Sequence, residues 1–87
     1  MAHEVEFEPQ VVKELRDIQR GDLRRVMDRI RQLADDPRPQ GCEKLVGITN
    51  AWRIRSGNYR VVYMIDDRAQ VVTITRVGHR REVYRGR

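Results

Sequence analysis

The amino-terminal half of the chain passes from an alternating pattern of hydrophobic positions to a helical one. Residues 3–8 alternate, which predicts a short strand. Pro9 then supplies the fixed φ favoured in a first helical turn, and the predicted helix ends before Gly21. Asp22 is the predicted cap of a second helix. Apolar residues recur every three or four positions in both helices: Val11, Val12, Leu15 and Ile18 in the first, and Leu23, Val26, Met27, Ile30, Leu33 and Ala34 in the second.

The carboxy-terminal half returns to the period of two that is typical of strands. A proline-rich loop at 35–41 separates it from the helices. Short turns rich in Gly, Asn and Asp divide three strand-like runs, which predicts an antiparallel meander. The predicted order is therefore β-α-α-β-β-β, an α+β chain that forms one small domain over residues 1–87. The predicted segments are strands at 51–55, 59–65 and 70–77, with turns at 56–58 and 66–69.

Arginine alternates with core-type residues in the first of these strands. Trp52 and Ile54 fall on one face, and Arg53 and Arg55 fall on the other. Arg60 joins the two arginines if the hairpin register places it on their face. Guanidinium groups held on a rigid strand suit a phosphodiester, because each can donate two parallel hydrogen bonds to phosphate oxygens. The pattern predicts a phosphate-binding sheet face, with Trp52 packed in the core against the helices.

Charge and composition narrow the class of partner. The formal charge of +5 favours a polyanion, and residues 51–87 hold nine Lys and Arg against three Asp and Glu. Hydrophobic residues at 39% and charged residues at 36% are typical of a globular domain. Cys42 is alone and lacks the partner spacing of a metal site, so no disulfide, metal or cofactor is predicted. No apolar run is long enough for a bilayer, and the predicted location is the cytoplasm.

Four segments carry a resemblance to a known family. They are Lys44-Leu45-Val46-Gly47, Trp52-Arg53-Ile54-Arg55, Gly57-Asn58-Tyr59-Arg60-Val61-Val62-Tyr63 and Val77-Gly78-His79-Arg80-Arg81-Glu82-Val83-Tyr84. In this order, and with the same succession of elements, the chain resembles the RelE/ParE superfamily of toxins over essentially its whole length, and most closely the RelE branch. The resemblance implies two amino-terminal helices packed on a small, mainly antiparallel twisted sheet.

The resemblance also implies a function. RelE-like proteins are toxins of type II toxin–antitoxin systems, and the RelE branch cleaves messenger RNA in the ribosomal A site by attack of the 2′-hydroxyl on the adjacent phosphate. The expected partners are a RelB-like antitoxin in a hetero-oligomer, the ribosome and messenger RNA. The cleaving positions of the family, matched residue by residue, become Arg53, Arg55, Arg60, Arg80 and Tyr84.

The general base departs from the family pattern. RelE enzymes often have lysines where this chain has Arg53 and Arg55, and arginine keeps its proton whereas a lysine can lose one. Arg55 is therefore a poor base, and His79 is the predicted substitute, since imidazole titrates near neutrality. The alternative is that His79 is a surface or turn residue beside Gly78. Further contacts to RNA are predicted for Lys44, Arg76, Arg81 and Arg85.

Three classes of function remain open from the sequence. A ribosome-dependent endoribonuclease is favoured because each cleavage position holds a workable residue, and its action on free RNA is expected to be slow without the ribosome to orient the 2′-hydroxyl. A ParE-like inhibitor of DNA gyrase would share the fold and act by protein binding. The retention of Arg60, Arg80 and Tyr84 counts against it. A basic domain that binds nucleic acid or a partner without chemistry is the third class.

Overall fold

The computed structural model of the chain describes residues 2–79. Two helices and five strands lie in this range, and neither helix is long and apolar enough to cross a membrane. In chain order the elements are β1 (Glu4–Phe7), α1 (Pro9–Arg16), α2 (Arg20–Gln32), β2 (Glu43–Lys44), β3 (Ala51–Ser56), β4 (Tyr59–Asp66) and β5 (Val71–His79).

The five strands form one sheet in the order β1-β5-β4-β3-β2. β3, β4 and β5 are the predicted antiparallel meander, and β1 lies parallel to β5 on its other side. The α+β class and the mainly antiparallel sheet are therefore confirmed. The predicted order lacked β2, which pairs with β3 through only two residues. A strand of two residues is too short to show a hydrophobic period.

One hydrophobic core lies between the helices and one face of the sheet, which gives the two-layer packing of an α+β domain. Trp52 is partly buried against this core, as the alternation of its strand predicted. The helices and the residues that directly follow them contribute Val11, Ile18, Val26, Ile30 and Leu33 to this core, and the sheet contributes Ile54, Val61, Tyr63, Ile65, Val72, Ile74 and Val77.

The helix boundaries differ from the predicted ones at the link between α1 and α2. α1 ends at Arg16, earlier than predicted, and α2 begins at Arg20 with Gln19 as its N-cap residue. The prediction that Asp22 caps α2 is therefore wrong. Its carboxylate lies in the first turn and accepts a hydrogen bond from Arg25 at 2.7 Å. A negative charge is stabilising there, because it lies near the positive end of the helix dipole.

The tight turn between β3 and β4 determines which residues share a face. Gly57 has a φ of 60°, a left-handed conformation that glycine adopts without a steric penalty. Ser56 pairs with Tyr59 across this turn, and Arg55 consequently lies directly opposite Arg60. Directly opposite residues of antiparallel strands project to the same face. The register is the one that places Arg60 with the arginines of β3.

A one-residue β-bulge in β5 reverses the alternation of its side chains. The pairing with β4 skips Thr75, which is the extra residue. Ile74 and Val77 are both buried in the core, although they are three positions apart. Val77 and His79, which follow the bulge, therefore project to the helix-facing side of the sheet.

α1 closes the part of β5 that β1 leaves unpaired. β1 pairs with residues 71–74 only. Beyond them, Gln10 Nε2 donates to the carbonyl of Thr75 at 3.2 Å, and Glu14 Oε1 accepts the N–H of Val77 at 2.7 Å. These two helical side chains satisfy backbone groups that would otherwise remain open at a sheet edge.

Candidate nucleic-acid interface

The face of the sheet turned away from the helices carries the predicted arginines. Ile54 and Val61 are buried in the core, so the alternation of β3 and β4 sends their neighbours to the opposite face. Arg53, Arg55 and Arg60 lie there on adjacent paired strands, and we refer to these three residues as the arginine face. The structure thus brings together three of the six predicted catalytic positions.

Arg60 occupies an unusual environment for a charged side chain. It is 7% exposed and is the one buried charged residue within residues 2–79. Its Nη1 donates to the carbonyl of Tyr59 at 3.4 Å, which is a long hydrogen bond. No carboxylate in the described part of the chain lies within 4.0 Å of its guanidinium. Burial of a charge without an ionic partner is costly, so an anionic ligand would stabilise this side chain.

Arg55 and Arg60 form a cross-strand pair of like charge. They lie directly opposite each other in the register of β3 and β4, and Arg55 is exposed. Like charges at such positions are destabilising. Two neighbouring guanidiniums suit an anion with several oxygens, and phosphate can accept their parallel N–H donors. The pair therefore favours binding of a phosphate group.

Glu43 adds a carboxylate to the arginine face. It is paired with Arg53 in the register of β2 and β3, and its Oε1 accepts hydrogen bonds from both Nε, at 3.1 Å, and Nη2 of Arg53. The side chain of Arg53 is 17% exposed and that of Glu43 is 53% exposed. The hydrogen bond from Arg53 lowers the pKa of the Glu43 carboxyl, and the charges of Arg53, Arg55 and Arg60 act in the same direction. Glu43 is therefore ionised at neutral pH.

Sequence reasoning did not identify Glu43. It lies in a two-residue strand, where no period is visible, and it meets Arg53 only through the pairing of that strand. The sequence offered one signal, which is that no other acidic residue lies near Glu43. Glu43 is the one acidic residue between Asp36 and Asp66, in the stretch that holds the arginine face.

His79 lies on the other side of the sheet from the arginine face. The bulge in β5 turns it toward the helices, where its ring meets that of Tyr59 edge to face with centroids 5.8 Å apart. Both rings line a pocket of about 270 Å³ that also involves α1 and the link after it. The structure does not bring His79 to the arginines. This placement goes against the prediction that His79 transfers a proton beside Arg55.

Lys44 lies away from the arginine face, whereas the register places Arg76 on the same side of the sheet as Arg53. Lys44 is paired with Trp52, and its Nζ lies 5.9 Å from the centroid of the indole ring on the helix-facing side. Arg76 is opposite Val62 in the register, but its Nε lies 3.7 Å from Oε2 of Glu14 in α1. Lys44 is therefore engaged away from the three arginines and Arg76 contacts Glu14, and contact of either cation with RNA stays a prediction.

The other predicted site residues follow the described part of the chain. Arg80 and Tyr84 were expected to take part in cleavage, and Arg81 and Arg85 to contact RNA. All four lie outside residues 2–79. Within residues 2–79, no group of three or more His, Cys, Asp or Glu side chains is placed to hold a metal ion.

Another arginine, Arg38, holds the loop after α2 against the sheet. Arg38 donates to both carboxylate oxygens of Asp67, at 3.2 and 2.7 Å, and its guanidinium lies over Trp52, 5.2 Å from the ring centroid. The Tyr63 hydroxyl donates to the carbonyl of Pro37 at 2.7 Å. Burial raises the pKa of Tyr63, which keeps this hydroxyl protonated. We refer to these five residues as the loop clamp.

The sequence matches known toxins over almost its whole length. The family model that matches residues 5–84 is described as the ParE toxin of type II toxin-antitoxin system, parDE. A curated relative, the putative toxin RelE1 of Methanocaldococcus jannaschii, is 29% identical over 90 residues, and the match covers 98% of each chain. The matching family model and the curated relative therefore agree with the resemblance that the motifs indicate.

Solved structures share the fold. A RelE-RelB complex from Pyrococcus horikoshii matches with a TM-score of 0.81 and 29% identity over 92% of this chain and 97% of that chain. A mutant of the Escherichia coli toxin RelE in the free state matches with a TM-score of 0.79 and 29% identity over 98% of this chain and 93% of that chain. The toxin-antitoxin complex RelBE2 of Mycobacterium tuberculosis matches with a TM-score of 0.80 and 26% identity over 91% of this chain and 99% of that chain. With its family model, its fold and its motifs in agreement, the chain belongs to the ParE toxin family of type II toxin–antitoxin systems, within the RelE/ParE superfamily.

Proposed function

We propose that the protein acts as an endoribonuclease that cleaves messenger RNA in the ribosomal A site and so inhibits translation. The observation that carries the proposal is the arginine face. There, the buried Arg60 has no carboxylate partner among residues 2–79 and lies opposite the exposed Arg55. Such a pair favours phosphate, and the resemblance to RelE toxins supplies RNA as the polymer that carries it.

The arginines suit the charge changes of the reaction. Attack by the 2′-hydroxyl builds negative charge on the phosphorane as the bond to the 5′-oxygen breaks. Arg55 and Arg60 lie on paired strands, so their charges are in place before the reaction begins. Preorganised charge of this kind is often the largest single contribution to catalysis. We assign binding of the scissile phosphate and stabilisation of its charge to Arg55 and Arg60, and a further phosphate contact to Arg53.

Arg53, Arg55 and Arg60 supply no proton acceptor of their own. A guanidinium stays protonated at any pH that a cell reaches, and His79 lies on the helix-facing side of the sheet. Another group must therefore accept the proton of the 2′-hydroxyl. A ribosome that holds this hydroxyl in line with the phosphate allows that group to be a weaker base. Free RNA should accordingly be cleaved slowly. Roles for Arg80 and Tyr84 remain those that the resemblance implies.

A RelB-like antitoxin is the proposed partner. The relatives from Pyrococcus horikoshii and Mycobacterium tuberculosis are toxin–antitoxin complexes, which supports a hetero-oligomer for this chain as well. The net charge of +5 would attract an acidic antitoxin segment and speed its association. The ribosome and messenger RNA are the other proposed partners, and the proposed location is therefore the cytoplasm.

Inhibition of DNA gyrase is the second candidate. The observation that favours it is the matching family model, whose description names the ParE toxin. A ParE-like mechanism would act through protein binding and would require no RNA chemistry. It would therefore tolerate substitutions of the arginine face that abolish cleavage.

Primer extension on a defined messenger RNA with programmed ribosomes tests the proposal. The wild type is expected to give ribosome-dependent cuts that Arg60→Gln abolishes. Arg25→Gln is the matched control, because it removes one charge from an exposed ion pair in α2, on the other side of the sheet. An equal loss in both variants, or gyrase inhibition without any cuts, would contradict the endoribonuclease.

A further inference from the structure

We propose that Glu43 is an internal competitor for phosphate, so that Arg53 binds RNA only when a phosphate displaces the Glu43 carboxylate. The inference rests on the proposed function because it takes RNA as the ligand. It adds a residue that determines which RNA is accepted. A strand that presents several phosphates in a fixed arrangement is favoured over a flexible strand that offers them one at a time.

The carboxylate covers the edge of Arg53 that a phosphate would use. Nε and Nη2 lie along one edge of the guanidinium, and both donate to Oε1 of Glu43. A bidentate contact with phosphate needs two parallel N–H donors of this kind. While Glu43 is in place, the edge is therefore occupied by a group with the same sign of charge as the phosphate.

The two members of this ion pair are held to different degrees. Arg53 is 17% exposed and lies in a six-residue strand that is paired on both sides. Glu43 is 53% exposed and lies in a two-residue strand at the edge of the sheet. A partly exposed ion pair contributes little to stability. The carboxylate can consequently leave while the guanidinium stays where it is.

Glu43 also changes the charge that an approaching strand meets. It neutralises one of the three positive charges of the arginine face, and Arg55 and Arg60 attract it as well as Arg53. An isolated phosphate approaching Arg53 therefore meets a neutral pair. A strand that engages Arg55 and Arg60 at the same time holds a further phosphate next to Arg53, where it can replace the carboxylate.

Equilibrium binding of a short single-stranded RNA tests the inference without cleavage. The RNA carries 2′-O-methyl groups, and its fluorescence anisotropy is followed over a range of salt concentrations. Glu43→Gln keeps the shape of the side chain and removes its charge, so we expect binding about three- to fivefold tighter than that of the wild type. The slope of log K against log salt should steepen by about 0.7, because one more phosphate contact forms.

Asp28→Asn is the matched control. Asp28 pairs with Arg31 at 2.9 Å in α2, on the other side of the sheet, so this variant removes the same charge and releases an arginine elsewhere. It should change RNA affinity and salt slope less than Glu43→Gln does. Glu43→Ala is the second substitution, in case glutamine remains bonded to Arg53. Urea unfolding of each variant checks that the fold is retained.

Three results would overturn the inference. The first is RNA binding by Glu43→Gln that equals or is weaker than that of the wild type, and the second is an equal gain in Asp28→Asn. The third is loss of ribosome-dependent cleavage in Glu43→Gln with unchanged RNA affinity, which would assign Glu43 to the reaction itself. A wild type that binds RNA as expected but makes no cuts would overturn the endoribonuclease alone.

Discussion

The loop clamp and the arginine face place the same kind of side chain in opposite environments. In the loop clamp, Arg38 donates to both oxygens of a carboxylate and lies over an indole ring. In the arginine face, Arg60 is almost completely buried, has one long hydrogen bond to a carbonyl within the described residues 2–79 and lies opposite Arg55. The contrast distinguishes an arginine that stabilises the fold from arginines that the fold positions for a ligand.

The difference predicts which substitutions change the stability of the fold and which change its function. Proteins commonly retain destabilising arrangements at functional sites, where activity depends on them. Removing the charge of Arg55 or Arg60 should therefore weaken RNA binding and leave the free energy of unfolding unchanged or higher. Removing a group from the loop clamp should weaken the fold and leave the chemistry unchanged.

Separate substitutions of Arg60 and Arg38 have the largest expected effects. Arg60→Gln should lower the rate of ribosome-dependent cleavage about 100-fold or more, because it removes a preorganised charge, while the free energy of unfolding is unchanged or higher. Arg38→Gln should do the reverse, with lower stability and cleavage near that of the wild type. Cleavage rates and urea unfolding are measured on both proteins. Equal loss of cleavage in the two variants would remove the distinction between the regions.

Tyr63→Phe tests the loop clamp through a single hydrogen bond. The buried hydroxyl donates to the Pro37 carbonyl, and its loss should lower the free energy of unfolding by about 1 kcal/mol without affecting cleavage. Urea unfolding at neutral pH measures the change. Tyr59→Phe is the control, since the Tyr59 hydroxyl has no hydrogen bond within residues 2–79. An equal loss in both variants would contradict the assignment.

Arg55→Gln should stabilise the protein. It removes one member of a directly opposed pair of like charges, which corresponds to a gain of about 0.2–1 kcal/mol in the free energy of unfolding. The gain should shrink at high salt, because Arg55 is exposed and its charge is screened. Urea unfolding at two salt concentrations checks this, and RNA affinity should fall in the same variant. A less stable Arg55→Gln protein would show that the pair is not repulsive.

The smallest expected effect is the pH dependence of the loop clamp. The hydrogen bond from Arg38 lowers the pKa of Asp67, and His3 acts in the same direction. Because the folded-state pKa lies below the unfolded value of about 3.9, the carboxylate stabilises the fold above that pH. The contribution is lost as the pH falls through the folded-state pKa. Asp67→Asn should therefore be less stable than the wild type at neutral pH, and the difference should disappear in acid. A difference that persists at every pH would contradict the pair.

The hairpin of β3 and β4 could be predicted from the sequence because its signals are local. The alternation over residues 52–55 assigns two faces, and Gly57 supplies the positive φ of the turn that determines the register. β2 could not be predicted in the same way. Glu43 and Lys44 become a strand only by pairing with β3, so the carboxylate beside Arg53 is a product of tertiary structure.

His79 shows where alternation fails. Continued from Val72 and Ile74 without interruption, the period of two would place His79 on the arginine face. The bulge at Thr75 shifts the later residues by one position and turns His79 toward the helices. Thr75 Oγ1 donates to the carbonyl of Val62 at 3.2 Å, a contact with another strand. The pairing of two strands, rather than the local sequence, therefore determines the side on which His79 lies.

The side chains of Gln10 and Glu14 complete the edge of the strand that ends at His79. An open strand edge is a template on which a second copy of a protein can add its own strand and begin a fibre. Here the carbonyl of Thr75 and the N–H of Val77 are already bonded to α1. This end of β5 is consequently protected from self-association without being shortened, and the protection depends on one glutamine and one glutamate.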